Sequence, residues 1–203
     1  MILIGIVGGI ASGKTQVTEK LRQLGATVLD ADRIGHEVLD EPEVRAALRA
    51  RWGDGVCDAH GRVDRRQVAS IVFAAPPLGP EELAYLERLT HPLIGERLRQ
   101  QLADLAREGR SQVVVLDAAV MLKAGWGNDC DHILFVDAPR AQRLARARLR
   151  GWDEAELAAR EAAQLPLDAK RSRADVIIDN SSSLEYTYAQ VERFWRSLAL
   201  QPE

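Results

Sequence analysis

The sequence predicts an α/β fold, because short apolar segments alternate along the chain with longer segments of helical periodicity. A glycine-rich loop stands between the first apolar segment and the first amphipathic one, as expected where a strand turns directly into a helix. The chain of 203 residues is long enough for one domain with a substantial core. The five predicted strands cover residues 2–7, 27–29, 113–117, 132–136 and 176–178.

The composition is that of an ordinary globular protein, with 46% hydrophobic and 28% charged residues. A net charge of -3 gives no support to a protein that coats nucleic acid. The two cysteines, Cys57 and Cys130, lack the spacing of metal ligands, so we expect packing thiols, although the sequence leaves a disulfide open.

Nothing at the start of the sequence resembles a signal peptide. Met1 leads straight into an apolar strand without a basic region or a cleavage site, and no apolar run approaches ~20 residues. We therefore expect a reducing, cytoplasmic location and no membrane partner.

The loop after the first strand matches the phosphate-binding pattern G-x-x-x-x-G-K-[ST] at every fixed position. Its glycines let successive N–H groups point inward around phosphate oxygens, and the helix that follows presents its positive N-terminus to the same anion. We expect Lys14 to be catalytic at the β- and γ-phosphates of ATP and the Thr15 hydroxyl to bind Mg²⁺. A plain glycine turn with a solvated Lys14 is the much weaker alternative. The predicted ATP-binding loop comprises Gly8, Gly9, Ile10, Ala11, Ser12, Gly13, Lys14 and Thr15.

Two acids follow the second strand at the sheet edge where ligands bind in α/β proteins. Asp32 could accept a proton from an attacking hydroxyl or orient it, and we favour this role over a helix cap. For Asp30 we favour the cap of the next helix. Asp32 is thus a candidate both for catalysis and for substrate binding.

The stretch 40–110 is predicted to be helical and is too long for a simple crossover, so it is interpreted as a helical subdomain on the substrate side. Asp64 with Gln67 resembles a capping box, and prolines and Gly79 near residue 78 predict a break. His91 before Pro92 predicts a sharp boundary ahead of a helix that ends at Glu108. A substrate role and a structural role for His91 are equally probable.

The third strand ends in Asp117, a pattern like the Walker B strand. This carboxylate is a candidate contact for Mg²⁺, a bound water or the substrate. After the fourth strand, residues 140–173 are rich in arginine and are bounded internally by Gly151 and Pro166, which predicts a helical lid. Arg143, Arg146 and Arg150 are predicted to share one helix face, with one or two lid arginines touching phosphate.

The fifth strand leads into a polar loop and the last predicted helix. Ser182 with Glu185 resembles a capping box for that helix. Backbone groups in the loop could contact an adenine, although a plain connection would look the same.

Taken together, the motifs resemble the dephospho-coenzyme A kinase family over nearly the whole chain. The most specific are the D-A-D segment at 30–32, the H-P-x-I segment at 91–94 and the A-D-x-I-I-D-N segment at 174–180. The remaining matches are the phosphate loop 8–15, the continuation 33–36, Val72-Phe73, 86–90, 116–118, Ala124-Gly125, and Gln164 with Leu167 and Lys170.

The resemblance implies a P-loop kinase with a five-stranded parallel sheet in a three-layer fold, core 1–39, 111–139 and 174–203, a helical insertion at 40–110 and a lid at 140–173. It implies transfer of phosphate from ATP, with Mg²⁺, to the ribose 3′-hydroxyl of dephospho-CoA, the last step of CoA biosynthesis. By position, Asp32 matches the candidate base, and Arg146 and Arg150 match lid arginines of catalysis and ATP binding. Asn180 lies in the segment beside the adenine, and His91 in the acceptor-side domain. We expect no nucleic-acid partner and favour a monomer, with an oligomer left open.

Some positions depart from the family pattern. The segment 119–123 reads A-V-M-L-K, so that a base, Lys123, stands where an acid is usual. Val7 replaces a common threonine, and Arg143 a usual glutamine. None of these changes touches Lys14 or Asp32. Two alternatives stay open: a kinase for another small acceptor such as a nucleotide, nucleoside or shikimate-like molecule, and a nucleotide-binding regulator that transfers nothing.

Overall fold

A five-stranded parallel sheet forms the centre of the fold in the computed structural model, which describes residues 1–109, 111–118 and 120–198. Its strand order is β2-β3-β1-β4-β5, with β1 in the middle. The predicted α/β class and its five strands are confirmed, each strand ending within one residue of the prediction. The strands are β1 (Ile2–Gly8), β2 (Thr27–Asp30), β3 (Val113–Asp117), β4 (His132–Asp137) and β5 (Val176–Asp179).

The connections between the strands are helical. Their bounds are α1 (Lys14–Gln23), α2 (Ala31–Leu39), α3 (Pro42–Trp52), α4 (Arg65–Val72), α5 (Leu78–Glu108), α6 (Arg140–Arg148), α7 (Glu154–Ala162), α8 (Leu167–Arg171) and α9 (Leu184–Ser197), with 3-10 turns at Asp54–Val56 and Trp126–Asp129. Within the described residues, no helix is long and apolar enough to cross a membrane. Arg110, Ala119 and 199–203 belong to predicted ranges but lie outside the described residues.

One face of the sheet packs against α1 and α9. Alternate side chains of β1, Ile4 and Ile6, belong to one buried cluster with Val17 and Leu21 of α1 and Val191 of α9. This alternation follows from the pleat, which sends successive side chains of a strand to opposite faces. The sheet and these two helices therefore form the core on which the loop after β1 rests.

The opposite face of β1 meets the segment that follows β3. A Cβ atom on Gly5 would lie 2.6 Å from the Met121 thioether and 3.0 Å from the Cys130 sulfur, so the two layers touch closely here. Cys57 and Cys130 are both free thiols, as predicted. The pKa of Cys130 is raised to about 12, mainly by burial and also by the charges of the neighbouring acids Asp129 and Asp131. Cys130 is therefore a packing thiol and stays protonated at neutral pH.

The chain divides into two compact units, residues 1–30 with 104–203 and residues 31–103. Inside the second unit the predicted cap of α4 is confirmed, because the Asp64 side chain accepts hydrogen bonds from the Arg66 and Gln67 amides at 2.8 and 3.4 Å. The Arg51 guanidinium binds the Glu82 carboxylate through two bonds of 2.6 and 2.8 Å. This unit contains residues 40–103 of the segment 40–110 that was predicted to be a helical substrate-side subdomain.

The predicted boundary at His91–Pro92 is wrong, because α5 runs without interruption from Leu78 to Glu108 with Pro92 inside it. Proline removes one helical hydrogen bond, but Thr90, Ile94 and Leu98 continue one buried stripe across it, and that burial holds the helix together. The predicted break is confirmed at Pro76 and Pro77, which lie between α4 and α5. It is wrong at Gly79 and Pro80, since both fall in the first turn of α5, where the amides have no intrahelical acceptor.

The last helix begins one residue later than predicted. Its N-cap is Ser183, whose hydroxyl accepts a hydrogen bond from the Tyr186 amide at 3.2 Å, so the predicted capping box of Ser182 with Glu185 is wrong. Three serines in succession are equally good caps on chemistry alone, and the path of the chain out of β5 selects the third.

Candidate active site

The phosphate-type loop connects the central strand β1 directly to α1, as the sequence predicted. Gly13 is the N-cap of α1 in a left-handed conformation, with φ 101° and ψ 20°. Ala11 is also left-handed, with φ 58°, and the Ser12 amide closes a turn onto the Gly9 carbonyl at 3.1 Å. A non-glycine residue at positive φ is uncommon and carries strain, and such strain is concentrated at binding sites.

The carbonyl oxygens of this loop are bound by long side chains from three parts of the chain. Lys14 Nζ donates to the Gly9 carbonyl at 3.2 Å, and Lys170 Nζ donates to the Gly8 carbonyl at 3.2 Å. Arg146 Nη1 donates to the carbonyls of Ala11 and Ser12 at 3.3 and 3.0 Å. Since the N–H of a peptide unit points away from its C=O, donors on the carbonyl side favour a loop whose amides face an anion.

The buried side chain of Asn180 supports the phosphate loop. It is only 2% exposed, its Nδ2 donates to the Ser12 carbonyl at 2.7 Å, and its Oδ1 accepts from the Thr187 hydroxyl at 2.9 Å. A Cβ atom on Gly13 would lie 2.0 Å from Asn180 Nδ2, so only glycine leaves room for this contact. The resemblance implied a place beside the adenine for Asn180, whereas its side chain lies against the phosphate loop.

Replacing Asn180 with alanine is expected to destabilise the protein by about 1–3 kcal/mol and to weaken ATP binding, because the Ser12 carbonyl loses its amide donor in a buried place. Thermal unfolding and ATP titration of Asn180→Ala measure the two effects. Asn128→Ala is the matched control, since Asn128 is an exposed asparagine of the 3-10 turn Trp126–Asp129. Equal stability and ATP affinity in both variants would contradict the bracing role.

The lid arginines do not share one face as predicted. Helix α6 ends at Arg148, and Gly151 adopts φ 80°, so Arg150 lies beyond the helix, exposed, with its guanidinium 5.9 Å from the Trp152 ring centre. The prediction failed because the periodicity of the sequence continues past the last helical turn, and helix ends are the least predictable part of a helix. Arg146 contacts the loop, as described above, and Nη2 of the same side chain also donates to the Asn180 carbonyl at 3.1 Å.

Arg143 is a buried member of the same region, 4% exposed, and forms an ion pair with Glu161 of α7. Its Nε donates to the Ala138 carbonyl at 3.2 Å. A Cβ on Gly9 would lie 3.0 Å from the Arg143 side chain, so the guanidinium reaches the phosphate loop. The arginine that replaces the family's usual glutamine is thus accommodated by an acid on the next helix.

Asp117 lies at the end of β3, beside Asp30 at the end of β2 in the sheet register. Its Oδ2 accepts a hydrogen bond from the Thr18 hydroxyl of α1 at 3.2 Å. Burial raises the pKa of Asp117 and the charge of Asp30 adds to the rise, while the charge of Lys14 and the Thr18 hydrogen bond oppose it. The side chain therefore lies within the electrostatic reach of Lys14, next to the helix that begins with the loop.

The other predicted site residues occupy the following places. Thr15 is exposed in the first turn of α1. Asp30 immediately precedes α2, and Asp32 lies in the first turn of that helix, within the unit 31–103. His91 is half-buried inside α5 of the same unit. Lys123, which was not a predicted site residue but a departure from the family pattern, is exposed and lines a small cavity with Val7, Gln164 and Lys170. The two units thus each contain part of the predicted set.

A nucleotide phosphate suits the loop on chemical grounds. The Ser12 hydroxyl is 1% exposed, and no hydrogen-bond partner for it occurs among the residues that the structure describes. A buried hydroxyl without a partner is costly, and an added oxygen acceptor would satisfy it. Across the described ranges, no group of three or more His, Cys, Asp or Glu side chains could hold a metal ion.

Sequence reasoning left Lys170 out of the predicted site and gave Arg143 no contact of its own. Lys170 had a signal, because it stands six residues after Gln164 in a matching motif, and Lys170 Nζ donates to Gln164 Oε1 at 2.6 Å in the structure. Arg143 was predicted to share a helix face with Arg146 and Arg150, and it was noted as a departure from the family pattern. Its partner Glu161 could not be chosen among the several acids of the lid from spacing alone.

The chain is similar to proteins of one family over nearly its whole length. The family model described as dephospho-CoA kinase matches residues 2–185. A dephospho-CoA kinase of Corynebacterium jeikeium is 37% identical over 199 residues, covering 98% of this chain and 100% of the relative. One of Symbiobacterium thermophilum is 40% identical over 202 residues, covering 97% and 81% respectively.

Solved structures share the fold along nearly the whole chain. The protein TT1252 from Thermus thermophilus superposes with a TM-score of 0.79 at 33% identity, covering 98% of both chains. A dephospho-CoA kinase from Campylobacter jejuni gives 0.70 at 23% identity, covering 96% of this chain and 95% of that one. A shikimate kinase from Acinetobacter baumannii gives 0.54 at 14% identity, covering 97% and 92%, which shows that the fold is that of the P-loop kinases.

Proposed function

The chain belongs to the dephospho-CoA kinase family, and we propose that it transfers the γ-phosphoryl group of ATP to the ribose 3′-hydroxyl of dephospho-CoA. The products are CoA and ADP, so that the reaction completes coenzyme A biosynthesis. The observation that carries the proposal is the phosphate loop at the end of β1, whose carbonyls are bound by Lys14, Lys170, Arg146 and Asn180. Such a loop is suited to a polyphosphate, and the family supplies the acceptor.

In the proposed mechanism the loop amides and Lys14 bind the β- and γ-phosphates and stabilise the charge that builds on the transferred group. Thr15 would hold Mg²⁺, which neutralises phosphate charge when bound. Asp32 would accept the proton of the 3′-hydroxyl as its oxygen attacks phosphorus. Arg146 and Arg150 would add positive charge from the lid segment, residues 140–173. Asp117, at the end of β3 and within the electrostatic reach of Lys14, would orient the acceptor or a bound water.

We assign the acceptor-side role to the unit 31–103, which contains Asp32 and His91. A helical insertion between β2 and β3 is too long to serve only as a connection, and long insertions usually carry function. We propose that His91 contacts the acceptor, that the protein acts in the cytoplasm, where its small-molecule substrates are made, and that it is a monomer. Size-exclusion chromatography with light scattering measures the mass in solution and tests whether the protein is a monomer. A mass of twice 22.4 kDa would contradict the monomer.

The decisive experiment incubates the purified protein with ATP and Mg²⁺ and with one acceptor at a time. The acceptors are dephospho-CoA, shikimate and a set of nucleosides and nucleotides, and the products are separated by chromatography. Formation of CoA with dephospho-CoA alone supports the proposal. Turnover of another acceptor without CoA would replace it with a different small-molecule kinase. Binding of ATP without transfer to any acceptor would favour a regulator instead.

A further inference from the structure

Lys170 is a buried lysine that the mechanism above does not use as a catalytic group. It lies on α8 and is 5% exposed. Its ammonium donates to the Gly8 carbonyl at 3.2 Å and to Gln164 Oε1 at 2.6 Å. Both acceptors are uncharged, so neither of them neutralises the ammonium. A buried charge is costly unless an opposite charge accompanies it.

The charges that face Lys170 are mostly of its own sign. Lys14 of α1 and Arg143 of α6 face it as cations, and Glu161 of α7 faces it as an acid. Glu161 forms its ion pair with Arg143 and so offers Lys170 little compensation. The pKa of Lys170 is lowered to about 8, mainly by burial and also by the charges of Lys14 and Arg143, whereas Glu161 opposes the shift. These four side chains are three cations and one acid, and Asp117 adds a second acid near Lys14. The cations still outnumber the acids, which favours an added anion.

The position of Lys170 indicates where that anion would lie. Lys14 Nζ binds the Gly9 carbonyl and Lys170 Nζ binds the carbonyl of the preceding residue, Gly8. Two ammonium groups thus donate hydrogen bonds to consecutive carbonyl oxygens at the start of the phosphate loop. In loops of this type the lysine at the position of Lys14 reaches the β- and γ-phosphates.

We propose that Lys170 is a second phosphate-binding lysine of the transfer site, which contacts the terminal phosphates of ATP together with Lys14. The assignment rests on the proposed function to the extent that ATP is the phosphoryl donor. Gln164 holds the ammonium in place, and the bound triphosphate supplies the negative charge that the protein itself does not provide. Lys170 therefore carries its proton whenever the nucleotide is bound.

Proton uptake on nucleotide binding tests the proposal directly. Phosphate favours the charged ammonium, so nucleotide binding raises the pKa of Lys170 and the protein takes up a proton from solution. Because the pKa of Lys170 in the free protein is lowered to about 8, part of the lysine is uncharged at pH 8, so binding takes up protons there and takes up fewer at pH 6.5. Nucleotide affinity accordingly falls as the pH rises above about 8.

The experiment is calorimetric titration of the protein with the magnesium complex of β,γ-imido-ATP at pH 8, without acceptor, in buffers of different ionisation enthalpy. The slope of the observed heat against the buffer enthalpy gives the proton uptake. For Lys170→Met we expect the uptake to vanish and Kd to rise by about tenfold or more, as expected for loss of a charge-assisted contact. For Lys170→Arg we expect the uptake to vanish with affinity largely kept, because a guanidinium is always charged.

The matched control is Lys123→Met, since Lys123 lines the same small cavity but is exposed. It is expected to keep the wild-type uptake and affinity. Wild-type uptake or affinity in Lys170→Met would overturn the proposal. Equal loss of affinity in the Met and Arg variants would also overturn it, because Lys170 would then be only a structural brace for Gly8. If the Met variant does not fold, the uptake measured for Lys170→Arg decides alone.

The same design separates this inference from the proposed function. The titration uses the nucleotide alone, so its result does not depend on which acceptor the enzyme phosphorylates. A protein that shows the proton uptake but makes no CoA keeps Lys170 as a phosphate ligand and loses the assignment of dephospho-CoA. A protein that makes CoA without any Lys170-dependent uptake keeps the function and loses the inference.

Discussion

Replacing Lys14 with alanine is expected to lower kcat for CoA formation by about 10²–10³ or more, the range found when one stabilising donor is removed from a transition state. The Lys14 ammonium is held at the start of α1 by the Gly9 carbonyl at 3.2 Å. At that position the ammonium can stabilise the negative charge that develops on the transferred phosphoryl group. Steady-state kinetics with ATP and dephospho-CoA measure the loss.

Lys20→Ala is the matched control for this variant. Lys20 lies on the same helix and forms an ion pair with Glu192 at 2.6 Å, so its loss should cost at most about 1 kcal/mol of stability and leave kcat unchanged. A kcat for Lys14→Ala within a few-fold of the wild-type value would remove Lys14 from the catalytic group. Comparable losses in both variants would point to damage to α1 instead.

Replacing Asp32 with asparagine is expected to lower kcat by about 10²–10⁴, the usual contribution of a positioned general base, while ATP binding changes little. The amide keeps the shape of the carboxylate in the first turn of α2 but cannot accept the proton of the 3′-hydroxyl. Rapid-quench measurement of a single turnover, together with ATP titration, separates the chemical step from binding.

Asp40→Asn provides the control, because Asp40 directly follows α2 and its Oδ1 accepts a hydrogen bond from the Val63 amide at 3.0 Å. An asparagine oxygen can keep that bond, so activity should stay near the wild-type value. Loss of ATP binding with unchanged kcat in Asp32→Asn would make Asp32 a structural residue and would leave the base unassigned.

The parts of the fold that could be predicted are those that depend on neighbouring residues. Each strand is a short apolar run, and the loop at residues 8–15 is defined by glycines at fixed spacing, so both are legible within about ten residues of sequence. The end of α1 is local too: Gly25, at φ 109°, donates its amide to the Arg22 carbonyl at 3.0 Å, and the Ala26 amide reaches Leu21.

The supports of the loop could not be predicted, because they join residues far apart in the sequence. Arg146 and Asn180 meet the Ser12 carbonyl across 134 and 168 positions, and Lys170 meets Gly8 across 162. The segment 140–173 contains many cations of similar spacing, and only the folded chain selects which of them reach the loop. Arg150 was placed on the helix face of Arg146 for a local reason, because the periodicity of the sequence continues past the end of α6.

Prolines misled the prediction of α5 for a different reason. Pro92 disfavours a helix locally, but a stripe of buried side chains on both sides of it outweighs the loss of one hydrogen bond. Local preference is a weak guide wherever tertiary burial opposes it, and a helix of 31 residues gives burial many positions at which to act.

The strand order β2-β3-β1-β4-β5 also dictates when the sheet can assemble during synthesis. Among the described residues, β1 pairs only with β3 and β4, and β2 pairs only with β3, so the described part of residues 1–112 contains two strands and no strand partner for either. The unit 31–103 is compact by itself, so we expect that it can fold earlier on the ribosome. The phosphate loop is attached to the end of β1 and is therefore among the last parts to fold. More than half of the chain must be translated before β3 and β4 can pair with β1.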